Sequence, residues 1–263
     1  MSSSRPLRRF RVASVEPGAD GTLDPGPEVQ RHLGVLRAAV GDVVFLFDGD
    51  GVEVRAEVMP LPGGEYALRV LGRERRDIES PLDTCLVQAI PARMTRMETI
   101  VRQVTELGVQ RVVPVLALRS QPGKANPAAL ERKVGRWRRV ADAAAEQCGR
   151  NRVPLIDSPC AFSDIAWEML PRPLYITDPA ATDPAGDALA AIGREAGPGA
   201  AATVMVGPEG GWTDDEVDTA RANGAVALRL GPRVLRADTA GVVAITLLQY
   251  LRGDLRGERE DGR

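Results

Sequence analysis

The stretch Val204-Met-Val-Gly-Pro-Glu-Gly-Gly-Trp-Thr-Asp-Asp-Glu-Val217 reads as a buried strand that runs into a glycine-rich loop and opens a helix. Ala201 to Val206 is a short apolar run with β-branched residues, the composition of a covered strand. Thr213 and Glu216 stand in T-x-x-E spacing, a capping box that predicts a helix start just after Trp212. Gly207, Gly210 and Gly211 are expected to supply positive φ and a close approach of backbone to a bound molecule. The loop is not a phosphate cradle. It matches neither G-x-x-x-x-G-K-[ST] nor G-x-G-x-x-G, and Asp214, Asp215 and Glu216 fill the helix N-terminus that a phosphate would need. A plain tight turn would use the same three glycines, so the stretch alone leaves its ligand open.

The pattern repeats some twenty residues on. Ala225 to Leu230 predicts another strand, Gly231 and Pro232 break it, and Asp238 or Thr239 caps a helix carrying Val242, Val243, Ile245, Leu247, Leu248 and Leu251. Upstream, strands and helices alternate from residue 81. Thr84 to Ile90 is a strand, and Met94, Met97, Ile100, Val101, Val104 and Leu107 share one helical face that Gly108 stops. Arg111 to Leu118 is a second strand, Asn126-Pro127 starts a long helix, and Leu174 to Thr177 is a later strand. The class is α/β with a mainly parallel sheet. Before Glu79-Ser-Pro81 the rhythm differs: Val43 to Phe47, Val52 to Val58 and Tyr66 to Leu71 are separated by glycine-rich turns, which predicts a small all-β barrel. The expected division is a barrel over 1–78, an α/β domain over 81–252 and a charged, apolar-poor tail, 253–263, without fixed structure.

Composition narrows the chemistry. No apolar run approaches a membrane span and the first residues lack the apolar core of a signal peptide, so a cytoplasmic protein is expected. Cys85, Cys148 and Cys160 form no C-x-x-C and read as core thiols rather than a disulfide framework or zinc site. A lone histidine, His32, with no serine elbow argues against Ser-His-Asp hydrolysis, and no metal-binding motif is present. Net charge is −2, yet residues 81 to 156 hold 13 Lys and Arg against 6 Asp and Glu. That surplus suits a local surface for a phosphate backbone. From charge alone, Arg132, Lys133, Arg136, Arg138 and Arg139 read rather as the solvated face of a helix.

G-P-E-G-G at 207–211 followed by L-G-P-R-V-L-R-A-D-T-A at 230–240 resembles the signature of the SPOUT (trefoil-knot) methyltransferases, and within them the bacterial 16S ribosomal RNA uridine N3-methyltransferases. Further blocks extend the resemblance over nearly the whole chain: Thr105-Glu-Leu-Gly-Val109, Leu118-Arg-Ser120, Ala143 to Arg150, and His32 to Arg37 with Val40-Gly-Asp42 and Phe47-Asp-Gly49. The family usually has T-E-T where this chain has Ala237-Asp238-Thr239, and Ser is common where Cys148 stands. The resemblance implies a PUA-like β-barrel before a SPOUT domain with a C-terminal trefoil knot, homodimers, S-adenosyl-L-methionine as cofactor, and 16S ribosomal RNA or the small ribosomal subunit as partner. Methyl transfer from a sulfonium fits the absence of nucleophile and metal, since positioning two reactants can lower a barrier by roughly 7 to 11 kcal/mol.

On this resemblance the cofactor loops are Thr177 and Asp178; Val206, Gly207, Pro208, Glu209, Gly210 and Gly211; and Leu230, Gly231, Val234, Leu235 and Arg236. Arg236 is expected nearest the target base, stabilising a uracil anion or gripping a phosphate, or else forming an ordinary surface ion pair. Glu209 and Asp238 are rival proton acceptors; Glu209 could instead orient the loop and Asp238 cap the last helix. RNA contacts are expected at Arg8 and Arg9 beside Phe10, at Arg37, at Arg119 and Ser120, and at Arg132, Arg136 and Arg139, with Phe10 itself read as a barrel core residue in preference to a stacking partner. Two other classes are open: 2′-O-ribose methylation by the same fold, and a non-catalytic RNA-binding assembly factor.

Overall fold

Alternating burial along short strands builds the first of two units in the computed structural model, which describes residues 8–75, 78–120, 127–182 and 200–255. This unit spans Met1–Glu79 with Ala145–Val153. Its strands are β1 (Arg8–Arg11), β2 (Thr22–Leu23), β3 (Val43–Phe47), β4 (Val52–Pro60) and β5 (Tyr66–Arg75), hydrogen-bonded in the order β1-β3-β4-β5-β2. β1 runs parallel to β3 and the other pairs are antiparallel. Val44, Leu46, Val54, Ala56, Val58 and Leu68 point inward with Phe10, so Phe10 is a core residue.

The unit differs from the expected barrel in two ways. It is not all-β, because helix α1 (Gly26–Val35) covers the sheet with Val29 and Leu33. Nor is a closed barrel found: among the described residues the edge strands β1 and β2 do not pair with each other. The alternation that marks a strand is local, whereas closure depends on which edges meet, which no local pattern encodes.

Arg9 is the centre of this unit rather than a phosphate contact. Its side chain is 7% exposed and ion-paired to Glu53, itself 1% exposed, at 2.6 Å. Its Nη1 donates to the Ala145 carbonyl at 3.1 Å and Nη2 to that of Arg150 at 3.3 Å, while the guanidinium lies 4.8 Å from the Phe47 ring centroid. Ala145 belongs to the last turn of the long helix over Pro127–Cys148, whose end carries the negative pole of the helix dipole. A fork of five donors satisfies both the buried carboxylate and those carbonyls.

The second unit spans Ser80–Ala144 with Pro154–Arg263. Its strands are β6 (Asp83–Ala89), β7 (Arg111–Leu116), β8 (Leu155–Ile156), β9 (Cys160–Ala161), β10 (Leu174–Thr177), β11 (Ala201–Val206) and β12 (Ala225–Leu228). They lie in the order β12-β10-β11-β6-β7-β8, with β9 also on β7, and every pair is parallel. The helices are α2 (Met94–Glu106), α3 (Pro127–Cys148), α4 (Asp214–Ala222) and α5 (Ala237–Arg252). β6 and β11 are buried almost throughout, as strands covered on both faces must be. Cys85, Val87, Ala89 and Met205 join one core with Phe162, Trp212 and Val217. Gly108 stops α2 at φ +83°.

Elements end earlier than the sequence suggests. The strand after Ala225 stops at Leu228, not Leu230, and that after Arg111 stops at Leu116, not Leu118. Helix α5 begins at Ala237 with Arg236 in the N-cap position and no side-chain cap bond. Asp238 therefore lies inside the first turn, accepting from the Thr239 N–H at 3.1 Å, and neither it nor Thr239 is the cap. The buried face of α5 consists of Ala237, Ala240, Gly241, Ala244, Ile245, Leu248 and Gln249, leaving Val242, Val243, Leu247 and Leu251 half-buried. Among the described residues no helix is long and apolar enough to cross a membrane. Asn126 and residues 256–263 of the expected tail lie outside the described residues.

Replacing Arg9 with Met should destabilise the first unit by about 3 kcal/mol or more, because it strips the guanidinium from a buried carboxylate and several carbonyls. Chemical denaturation checks this, and a loss below about 1 kcal/mol would mean the ion pair is replaceable.

Candidate functional site

Three adjacent parallel strands, β12, β10 and β11, release their carboxyl ends side by side, and the loops that follow enclose a cleft. In open parallel sheets this edge is where ligands bind. Thr177, Asp178 and Pro179 come from the first loop. Val206 to Glu209, Gly211 and Trp212 come from the second. Arg229, Leu230, Arg233 to Ala237 and Ala240 come from the third and the start of α5. Of the residues expected to hold a cofactor, Gly210 and Gly231 are the two that do not line the cleft. Sequence reasoning missed Pro179, Trp212, Arg229, Arg233, Ala237 and Ala240.

Hydrogen bonds fix each loop. Thr177 Oγ1 donates to the Met205 carbonyl at 3.1 Å, tying β10 to β11. The Asp178 N–H donates to the Leu228 carbonyl at 2.9 Å, tying β10 to β12. The Thr213 to Glu216 capping box forms in both directions, at 2.8 Å and 3.2 Å. Glu216 then accepts the Leu118 N–H on its second oxygen at 2.8 Å, so one buried carboxylate joins the helix start to the end of β7.

The glycines act otherwise than expected. Only Gly211 of the three has positive φ, +68°. Gly210 is small because a Cβ there would lie 3.2 Å from that of Arg119. Arg119 Nη1 donates to the Gly210 and Trp212 carbonyls at 3.1 and 2.9 Å, which makes it a brace for this loop. Ser120 Oγ accepts the Ala117 N–H at 3.2 Å, closing the turn after β7.

Around the cleft lies a charged group centred on Arg96 of α2, which no sequence signal singled out. Arg96 Nη1 is 2.6 Å from Glu209 Oε1, and its Nε is 3.9 Å from Asp238 Oδ2. Glu209 Oε2 accepts the Ala92 N–H at 3.1 Å, so both its oxygens are engaged. Burial pushes the Glu209 pKa up, but its own backbone N–H, that of Ala92 and the Arg96 guanidinium outweigh this and hold it below the ordinary carboxylate range. The pairing therefore contributes stability above that range and loses it as pH falls through the lowered value. The Arg236 side chain is exposed and makes no hydrogen bond or ion pair with a described residue.

The other expected RNA contacts lie elsewhere. Arg8 pairs with Asp42 at 3.5 Å and Arg37 is exposed with φ 49°. Arg132 and Arg139 are exposed on α3, but Arg136 is paired to Glu98 at 2.6 Å. Burial pushes the Cys85 pKa up to about 12 and raises that of Cys160, which disfavours the thiolate at both.

Comparison with known proteins agrees with this geometry. Residues 78–249 match the model of a family described as the RNA methyltransferase domain. The chain is similar to ribosomal RNA small subunit methyltransferase E of Bacillus subtilis, 28% identical over 236 residues, which cover 89% of this chain and 91% of that protein. The protein of the same name from Synechocystis is 33% identical over 219 residues, 82% of this chain and 69% of the relative. Among solved structures, ribosomal RNA small subunit methyltransferase E from Neisseria gonorrhoeae, bound to S-adenosyl methionine, superposes with a TM-score of 0.81 at 31% identity. The match covers 94% of this chain and 99% of that one.

Substituting Glu216 with Ala should cost about 1 to 2 kcal/mol through loss of the capping box. It should also speed hydrogen exchange at the Leu118 amide, whereas Glu216→Gln, which keeps acceptor oxygen, should show a smaller effect. Unchanged exchange at Leu118 after Glu216→Ala would remove this carboxylate as the tie between the two loops.

Proposed function

We propose that this chain, which belongs to the RNA methyltransferase family, transfers a methyl group from S-adenosyl-L-methionine to N3 of a uridine in 16S ribosomal RNA of the small ribosomal subunit. The observation that carries this reading is the cleft formed by three loops at the carboxyl ends of adjacent parallel strands, with a cofactor-bound relative of the same fold. The lining suits that cofactor. Val206, Pro208, Leu230, Val234 and Trp212 offer apolar surface to a purine, and the Gly207 to Gly211 backbone can come close to a ribose.

The cofactor would supply a methyl group already activated by its positive sulfur, so the chain needs to orient the acceptor and manage its proton. Arg236, exposed at the cleft and without a side-chain partner among the described residues, is suited to stabilise negative charge on the uracil as N3 loses its proton. Asp238 is the better acceptor of that proton. Its Oδ1 takes the Thr239 N–H and its Oδ2 lies 3.9 Å from Arg96, beyond hydrogen-bond length, whereas both Glu209 oxygens are bonded. Glu209 then anchors the glycine loop to Arg96 and the Ala92 backbone. We take the third loop to be threaded as the trefoil knot of SPOUT proteins, and the first unit to serve as the PUA-like RNA-binding module. A homodimer acting in the cytoplasm completes the reading, with Val242, Val243 and Leu247 of α5 as apolar surface for the partner copy.

Arg236→Ala should lower the single-turnover rate on small subunits by about 100-fold while cofactor affinity stays within about twofold, the pattern of lost transition-state binding. Asp238→Asn should be folded but inactive and Glu209→Gln should keep most activity; the reverse order would exchange their roles. Mass spectrometry of the modified nucleoside tests the position, since a 2′-O-methyl product would overturn N3 transfer. Absence of cofactor binding by calorimetry would favour a non-catalytic assembly factor.

A further inference from the structure

Three arginines within eight residues, Arg229, Arg233 and Arg236, line the same cleft. All three are exposed, and none of their side chains forms a hydrogen bond or ion pair with a described residue. Several other arginines of this unit are committed: Arg111 to Asp157, Arg136 to Glu98, Arg119 to the Gly210 and Trp212 carbonyls, and Arg138 to the Ile156 carbonyl; Arg93, Arg102, Arg132 and Arg139 are exposed like the trio but do not line the cleft. Neither acidic residue of the cleft lining is ion-paired to the trio: Glu209 is held by Arg96, and Asp178, whose Oδ1 accepts the Ala180 N–H, forms no ion pair among the described residues. Three like charges therefore line one cleft that has a single acid without an ion-pair partner among the described residues. Their mutual repulsion is relieved when an anion docks there.

We propose that Arg229 and Arg233, on the same cleft as Arg236, form a phosphate-binding rim that holds the RNA backbone beside the target nucleotide, while Arg236 faces the base. This inference rests on the methyltransferase reading for its target and extends it to residues to which that reading gives no part. A base entering the cleft leaves its flanking phosphates at the mouth, where a guanidinium can take two phosphate oxygens at once. Val234 stands between Arg233 and Arg236 in the chain and is 79% exposed, an apolar surface on the same rim. The rival anion is the carboxylate of the cofactor's methionine part, and affinity measurements with each ligand separate the two.

The test is the double variant Arg229→Gln, Arg233→Gln. Binding to a single-stranded, uridine-containing oligoribonucleotide is titrated across salt concentrations without cofactor. Cofactor affinity is measured separately by calorimetry, and KM and kcat on small subunits by labelled methyl transfer. The slope of log affinity against log salt should become shallower by about two, one for each phosphate that is no longer neutralised. KM for the subunit should rise by about tenfold with kcat and cofactor affinity within about twofold, because the two guanidinium groups hold ground and transition states alike. Arg229→Lys, Arg233→Lys retains both charges and should restore most of the salt slope, which separates charge from folding effects. An unchanged slope would overturn the proposal, as would a tenfold or larger loss of cofactor affinity with RNA binding intact. A chain that binds RNA through these arginines yet transfers no methyl group would sink the methyltransferase reading and leave the rim standing.

Discussion

One buried carboxylate sets the shape of the cleft. Glu216 is 7% exposed, closes the capping box with Thr213 and takes the Leu118 N–H on its other oxygen. Both oxygens are therefore satisfied, as a carboxylate at that depth requires. Its two partners belong to different loops, so the start of α4 and the end of β7 are held at a fixed separation. Arg119, next to Leu118, then reaches the Gly210 and Trp212 carbonyls. The glycine loop is thus fixed at its exit by a capping box and along its length by a guanidinium, and its remaining backbone is left facing the cleft.

Much of this was legible because it is local. The strand over Ala201–Val206, the capping box and the glycine stop after α2 are written within a few residues of one another, and they form where expected. Strand order is different in kind. Nothing in the sequence of Leu174 to Thr177 says that it lies between β11 and β12, although this insertion brings the three loops together. Arg96 was invisible for the same reason, lying far along the chain from both acids it approaches. Helix α1 was missed because its amphipathic face has few apolar positions, Val29 and Leu33 being its buried ones, and it is set between convincing strands.

A count of charges over-reads for a related reason. Within the basic surplus of residues 81 to 156, Arg96, Arg111, Arg119, Arg136, Arg138 and Arg150 are engaged in ion pairs or carbonyl bonds, whereas Arg93, Arg102, Arg132 and Arg139 are exposed. Arg9 shows the same substitution of structure for surface in the first unit. A count of charges along the chain cannot distinguish a guanidinium that neutralises a buried carboxylate from one that faces water, because the partner is supplied by the fold.

The converse holds at the cleft. Residues 157 to 263 carry 10 basic against 17 acidic residues, the segment that composition would least associate with a nucleic acid. Some of those acids lie on the exposed start of α4, where Asp214 and Asp215 favour the helix N-terminus, or are already bound, as Glu209 is. Lining the cleft without an ion pair among the described residues are Arg229, Arg233 and Arg236 against the one acid Asp178. Long-range field follows net charge and decays over roughly 10 Å at ordinary ionic strength. Contact with a phosphate depends instead on which cations have no partner of their own. A net charge of −2 is therefore no obstacle to the proposed phosphate contact, which depends on the cations that line one cleft without a partner among the described residues.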